Sequence, residues 1–303
     1  MFLRHIVVLF AWLIGVVAGA EAEAVNGQIV ETVANAPITP PPQELVEKWH
    51  LAPFYRKHLN IDGFHILSSE KVSDYALREA AFLLRQTIGQ RPDILHALAE
   101  NNVRLVVMAP TEMTTDVPEH SDLQPGAFWN RRARGLGSTR ARPVVSCAEE
   151  NLLGLEGDPY RKENILIHEF GHAIHEMGLS KVDPTFDKRL QAAYDGAMQA
   201  GLWKGSYSAT NKREYWAEGV QCWFDCAGAH DREHGEIDTR EKIKIYDVAL
   251  ASLLAEVYGD TAWRYAKPAA RRAEERAHLA GFDVTQAPRF VWPASAPPLE
   301  PGK

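Results

Sequence analysis

In the stretch "NILIHEFGHAIHEMG", His168 and His172 stand four residues apart with Glu169 beside the first. These residue types can bind a metal and move a proton. On a helix, residues i and i+4 project from one face about one turn apart, so both imidazoles can reach a single tetrahedral ion. Glu169 then sits where its carboxylate can take a proton from a water at the ion's open position. The competing reading is a pair of hydrogen-bonded core histidines. Ile165, Ile167, Phe170, Ala173 and Ile174 make the helix largely apolar, and unpaired imidazoles in such a helix are costly. That cost favours a metal. Two histidines do not complete a catalytic zinc site, so a third ligand has to lie elsewhere.

A longer three-histidine motif, H-E-x-x-H-x-x-G-x-x-H, needs glycine at 175 and histidine at 178. The chain carries His175 and Gly178, the reverse, which excludes that class. His175 lies one turn past His172, too close on one rigid helix to converge well on the same ion, and suits lining the cleft or supporting a ligand. Downstream, Glu214 and Glu218 are again four apart, among Tyr215, Trp216, Ala217, Val220 and Trp223. One carboxylate of such a pair can bind the metal while the other holds a ligand histidine through its second nitrogen.

The surrounding elements read as α+β. "DGFHILSS" and "NVRLVVMAP" predict strands, Ser73–Ile88 a helix between them capped by Ser73 or Asp74, and "RPVVSCAEENLL" a short strand running into a loop. The second half is mainly helical. A helix opening at Asp158-Pro159, or nearer Arg161, runs to Met177 with Gly178 as its stop. Others span Thr185–Ala200, Glu214–Ala227, Arg240–Tyr258 and about Pro268–Ala280. The strand near Pro143–Cys147 is a candidate edge for an extended peptide.

The chain has 303 residues, of which 46% are hydrophobic, enough for a large core. "MFLRHIVVLFAWLIGVVAGAEAEA" combines Arg4, a short apolar run and small residues, as a secretory signal does, with cleavage after Ala20 or alternatively Ala24. An uncleaved anchor is the other reading, disfavoured by the shortness of the run. Residues 1–20 thus form a leader, 21–48 a Pro-rich flexible lead-in, 49–290 one catalytic domain and 291–303 a Pro-rich tail. A secreted or periplasmic location follows, with no stable membrane insertion after cleavage. The net charge of −7 argues against nucleic acid as a partner.

Cys147, Cys222 and Cys226 allow one disulfide, best between Cys147 and one of the other two, or a buried unpaired set. The recurrence of Cys222, Cys226, His230 and His234 is set aside as a second metal site because Gly228 and Gly235 interrupt the helix. The basic segment Asn130–Arg142 lacks a phosphate-loop ending and reads as a solvated or cleft-edge loop.

"HEFGH" followed about forty residues on by "YSATNKREYWAE" (Tyr207–Glu218) resembles the metallopeptidase domain of the anthrax lethal factor family, a gluzincin-type group that includes Pro-Pro endopeptidases. The match spans about Asp158 to Phe224. The resemblance implies a zincin-like fold, with a small N-terminal sheet and helices ahead of a mainly helical half. It implies one Zn2+ ion held by His168, His172 and Glu214, Glu169 as general base, and Glu218 supporting a ligand. It also implies Tyr207 as a catalytic phenol donating to an oxyanion. The expected activity is zinc-dependent hydrolysis of a peptide or protein substrate. Hydrolysis of another amide, such as a cell-wall peptide, and a non-catalytic binding protein on the same scaffold are the alternatives.

Overall fold

Strands β3 (Arg104–Met108) and β4 (Val144–Ala148) are buried along their whole length, as near-continuous apolar runs require. The computed structural model describes residues 27–229 and 234–293. In it these strands belong to a four-stranded sheet of order β1-β2-β3-β4. β1 (Lys57–Ile61) and β2 (Phe64–Ser68) form an antiparallel hairpin, while β2, β3 and β4 run parallel. The hairpin turns at Asp62-Gly63, both with positive φ (51° and 86°), as a two-residue turn with the right twist demands.

Alternation along the strands sends side chains to two cores. Leu105, Val107, Val145 and Cys147 join the main core beneath the helices. Val106, Met108, Val144 and Ala148 meet Tyr55 and Val117 on the other face.

The described N-terminal part differs from a flexible lead-in. A helix over 27–34 (α1) buries Val30 and Val33 in the main core, and α2 (Gln43–Trp49) buries Leu45. Between them Thr39 and His58 exchange two backbone hydrogen bonds (3.0 and 2.7 Å). The apolar residues of this stretch outweigh the extended tendency of its prolines. Residues 1–26 and 294–303, which carry the expected leader and most of the tail, lie outside the described residues.

Helices α3 (Asp74–Ile88, capped by Ser73) and α4 (Pro92–Glu100) connect β2 to β3. α5 (Gly126–Arg132) and α6 (Glu149–Leu153) flank β4; α6 stands where a loop is expected. The rest is largely helical. α7 (Ile165–Ala173) continues through a π-helical turn, Ile174–Leu179, into α8 (Ser180–Val182). α9 (Phe186–Gln199), α10 (Lys212–Trp223), α11 (Arg240–Tyr246) and α12 (Val248–Tyr258) follow. An N-terminal mixed sheet ahead of a mainly helical region is thus the observed α+β arrangement. Among the described residues no helix is long and apolar enough to cross a membrane.

Three boundaries differ from expectation for identifiable reasons. Gly178 does not stop the helix: a Cβ there would lie 2.8 Å from Ile94 Cγ2, so its bareness lets α4 approach. Asp247 divides α11 from α12 because its carboxylate caps Leu250 N and accepts from Trp203 Nε1 and Tyr215 Oη. The last helical piece breaks into two 3₁₀ segments, Pro268–Ala270 and Glu274–Leu279, with Arg271 turned inward between them.

Arg271 makes two hydrogen bonds to Glu79 on α3 (2.6 and 2.9 Å), and His278 adds a third contact at 2.9 Å. Burial alone would raise the Glu79 carboxyl, but Arg271 and His278 outweigh it and hold it below its ordinary value. The contribution of this lowered carboxyl is therefore present above its unfolded value and lost as pH falls through the folded one. Removing one member leaves buried charge unpaired, so we expect Glu79→Ala to cost about 3–5 kcal/mol in urea unfolding. A loss below about 1 kcal/mol would show that the clamp contributes little beyond an exposed ion pair.

Candidate metal centre

The helix that carries both histidines begins at Ile165, not at Asp158. Asn164 caps it, its side-chain oxygen accepting from Ile167 N (2.9 Å), and Asn151 Oδ1 accepts from Ile165 N (2.8 Å). Asp158 is instead engaged by Lys267 and Asn151. The helix carrying the two glutamates is capped by Asn211, which accepts from Arg213 N and Glu214 N. α7 and α10 pack together, and Trp216 Nε1 donates to Gly171 O (3.0 Å) across them. Asn164 N donates to Cys226 O just beyond α10 (3.3 Å).

This packing brings His168, His172 and Glu214 together. The two Nε2 atoms are 3.2 Å apart, and Glu214 Oε2 is 3.3 Å from each. Ligands held at 2.0–2.1 Å around a tetrahedral ion stand roughly 3.3 Å from one another. The three donor atoms therefore occupy three corners of a zinc-sized tetrahedron. Glu214 Oε2 is buried and makes no well-directed hydrogen bond among the described residues, as suits an oxygen aimed at a cation. Among the described residues this is the one cluster of three potential ligands close enough to share an ion.

The tautomer of His168 follows from its neighbours. Gln221 Nε2 lies near two backbone carbonyls, Asn164 O (3.4 Å) and Cys226 O (3.5 Å), which leaves Gln221 Oε1 facing His168 Nδ1 at 2.9 Å. Nδ1 carries a proton and donates to it, which leaves Nε2 as the nitrogen that faces the triangle and can ligate a metal. Glu218, expected in this role, stands farther from the same nitrogen at 3.4 Å, with its other oxygen 3.8 Å from His234 Nε2. Gln221 was not legible as a site residue, although it lies seven positions past Glu214 and so on the same helical face.

Charge in the cluster is strongly coupled. Burial alone would lower the His168 imidazole, but the Glu214 carboxylate 3.3 Å away and the charges of Glu169 and Glu218 lift it to about 10. Burial would raise Glu214; His168 and His172 hold it well below the usual carboxylate range instead. Burial also pushes Glu218 up, against the pull of His168 and His234.

The triangle opens on a cleft of about 490 Å³, whose lining includes Glu169, Tyr207, Arg132, Trp129, Leu136 and His234. Gly135 and Gly137 form part of its wall and press against the metal helix. A Cβ at Gly137 would lie 2.9 Å from His172 Cβ and 3.3 Å from Glu169 Oε2. Between these glycines, Leu136 exchanges two backbone hydrogen bonds with Ser146 (2.9 and 3.2 Å), so the outer edge of β4 is occupied there. The segment through Leu136 therefore borders the cleft in place of β4 itself. Burial and the Glu214 charge push the Tyr207 phenol up to about 12, with Arg132 opposing them. Tyr160 also lines the cleft and was not anticipated.

His175 is directed away from the triangle. Its Nε2 meets Asp187 Oδ1 at 3.0 Å, and its ring lies near Phe186 and Trp216. All three cysteines are buried free thiols, and Cys222 Sγ donates to Ile237 O. His230 lies outside the described residues. A larger cavity, about 840 Å³ and mostly apolar, lies between Leu153–Asp158 and the C-terminal 3₁₀ segments and contains none of the three donors.

No protein-family model matches the chain, and no curated protein shows significant similarity to it. The metal assignment accordingly rests on the geometry of this chain alone.

Two outcomes test it. A metal ligand must give up its proton. With His168 lifted to about 10, the metal-free protein carries that proton at pH 7. We expect zinc titration at pH 7 to release about one proton per ion, measured calorimetrically in two buffers of different ionisation enthalpy. Binding without proton release would mean that His168 is already neutral at pH 7, and failure of zinc to bind would sink the assignment. We also expect Gln221→Leu to weaken zinc affinity about 10- to 100-fold in chelator competition, because His168 loses its orienting acceptor.

Proposed function

We propose that the chain is a secreted zinc-dependent metallopeptidase of gluzincin type, related to the anthrax lethal factor group. The observation that carries this reading is the set of three donor atoms at tetrahedral spacing, beside Glu169, in an open cleft. The "HEFGH" and "YSATNKREYWAE" stretches support the family assignment, and the apolar leader with its small-residue end supports secretion. The order of a mixed sheet ahead of helices is compatible with a zincin fold.

In this reading His168, His172 and Glu214 hold zinc, which when bound supplies Lewis acidity to a scissile carbonyl and acidifies a water. Glu169 takes the proton of the attacking water and later delivers it to the leaving amine. Its side chain reaches the glycine wall of the cleft, where a water and a peptide would both have to sit. Tyr207 donates its phenolic proton to the oxygen on which negative charge develops. The Tyr207 phenol, raised to about 12, stays protonated near neutral pH and so remains a donor. Gln221 and Glu218 keep His168 oriented throughout. The extended segment at Leu136 offers a border along which a peptide would lie.

A peptide library digested with zinc-loaded protein tests the assignment. We expect Glu169→Gln to lower cleavage by about 10²- to 10⁴-fold while zinc stays at unit stoichiometry. Glu214→Ala should lose both zinc and cleavage. Protein without bound zinc, or Glu214→Ala with undiminished cleavage, would sink the reading.

A further inference from the structure

The basic segment Asn130–Arg142 looks like a solvated or cleft-edge loop in sequence, yet one of its arginines reaches the reacting end of the cleft. Arg132 closes α5, and its Nη2 donates to Tyr207 Oη at 3.2 Å, 75 residues along the chain. Tyr207 opens the 3₁₀ turn Tyr207–Ala209 that leads into α10 and Glu214. The contact therefore ties the cleft wall contributed by α5 to the helix that carries the proposed third ligand.

We propose that Arg132 is the positioning residue for Tyr207, holding its phenol as a hydrogen-bond donor in the metal cleft. The proposal rests on the hydrolytic reading above.

The argument is one of donor and acceptor inventory. A guanidinium carries only N–H donors, so Tyr207 Oη accepts from Arg132 and its own O–H is left to donate elsewhere. Among the described residues the phenol makes no other hydrogen bond, and it lines the same cleft as Glu169 and the donor triangle. A phenol held by a carbonyl or a carboxylate would spend its proton on that partner. Arg132 also opposes burial and the Glu214 charge, which both push the phenol toward a weaker acid. The group that orients the donor thus also keeps it a better one.

The test is a double-mutant cycle with Arg132→Gln, Arg132→Lys and Tyr207→Phe on a peptide that the zinc-loaded wild type cuts. A positioning role predicts that Arg132→Gln lowers kcat about tenfold with KM changed less than about twofold. Arg132→Lys should recover most of the loss, and in the Tyr207→Phe background Arg132→Gln should add nothing. An undiminished further loss in that background would overturn the proposal, since Arg132 would then act independently of Tyr207. A rise in KM at constant kcat would assign it to substrate binding instead, and no change in either would remove the role.

A second readout needs no activity. In protein labelled with [13Cζ]tyrosine, the resonance missing from Tyr207→Phe should shift in Arg132→Gln and return in Arg132→Lys. An unmoved resonance means the bond is absent in solution and overturns the proposal. A shifted resonance in a protein that cuts no peptide would instead sink the hydrolytic reading while leaving the Arg132–Tyr207 contact standing.

Discussion

The whole candidate site depends on the register between α7 and α10. His168 and His172 belong to one helix and Glu214 to the other, so a slide of one residue, about 1.5 Å, would break a triangle whose sides are 3.2–3.3 Å. Hydrophobic packing of Phe170, Val220 and Trp216 brings the helices together but does not choose among registers separated by one residue. Directed hydrogen bonds do. Trp216 Nε1 finds Gly171 O, Asn164 N finds Cys226 O, and Gln221 spans both helices by facing His168 on one side and two carbonyls on the other. Each of these groups is buried, and each would be left unsatisfied by a slip. The cost of an unmade buried hydrogen bond, about 1–3 kcal/mol apiece, is what makes the register unique.

The electrostatics of the centre point the same way. Without a cation, Glu169, Glu214 and Glu218 surround two imidazoles in a largely buried setting, and His168 answers by binding a proton far more tightly than usual. Carboxylates clustered round two buried imidazoles favour positive charge at their centre. A metal cation can replace that proton because Nε2 of both histidines and Oε2 of Glu214 already stand at ligand separation.

Much of this was legible in sequence because it is encoded in helical spacing. The i, i+4 pairs His168/His172 and Glu214/Glu218 announce one face of each helix, and the apolar flanks announce burial. The β2, β3 and β4 runs are legible for the same reason, being short and apolar. β1 is not: "KHLNI" carries three polar residues in five, and only pairing with β2 makes it a strand. The start of α7 is misplaced because Asp158-Pro159 imitates a helix opening, whereas the cap that acts, Asn164, is recognised by its bonds to Ile167 and Cys226. Gly178 imitates a helix stop because sequence does not reveal that α4 lies against it. Gln221 and Arg132 escape notice because their roles are defined by what faces them across the cleft or between helices. Composition likewise overstates the looseness of residues 27–48, where four prolines hide the burial of Val30, Val33 and Leu45.

The neighbour of Arg132 two residues on explains how an otherwise loop-like segment can hold a side chain in place. Arg134 is fully buried, donates twice to Glu150 (2.6 and 3.2 Å) and reaches the carbonyls of Glu112 and Ala109. Burying such a pair brings little net stability, since desolvation offsets most of the attraction. Its effect is positional. A guanidinium with a fixed fork and four acceptors on three residues admits essentially one placement of its backbone. That placement is shared with the end of α5 on one side and with Gly135, Leu136 and Gly137 on the other. The first holds Arg132 on Tyr207, and the second presses the bare backbone against His172 and Glu169. A buried charge that adds little to folding thereby sets the wall of the cleft opposite the donor triangle.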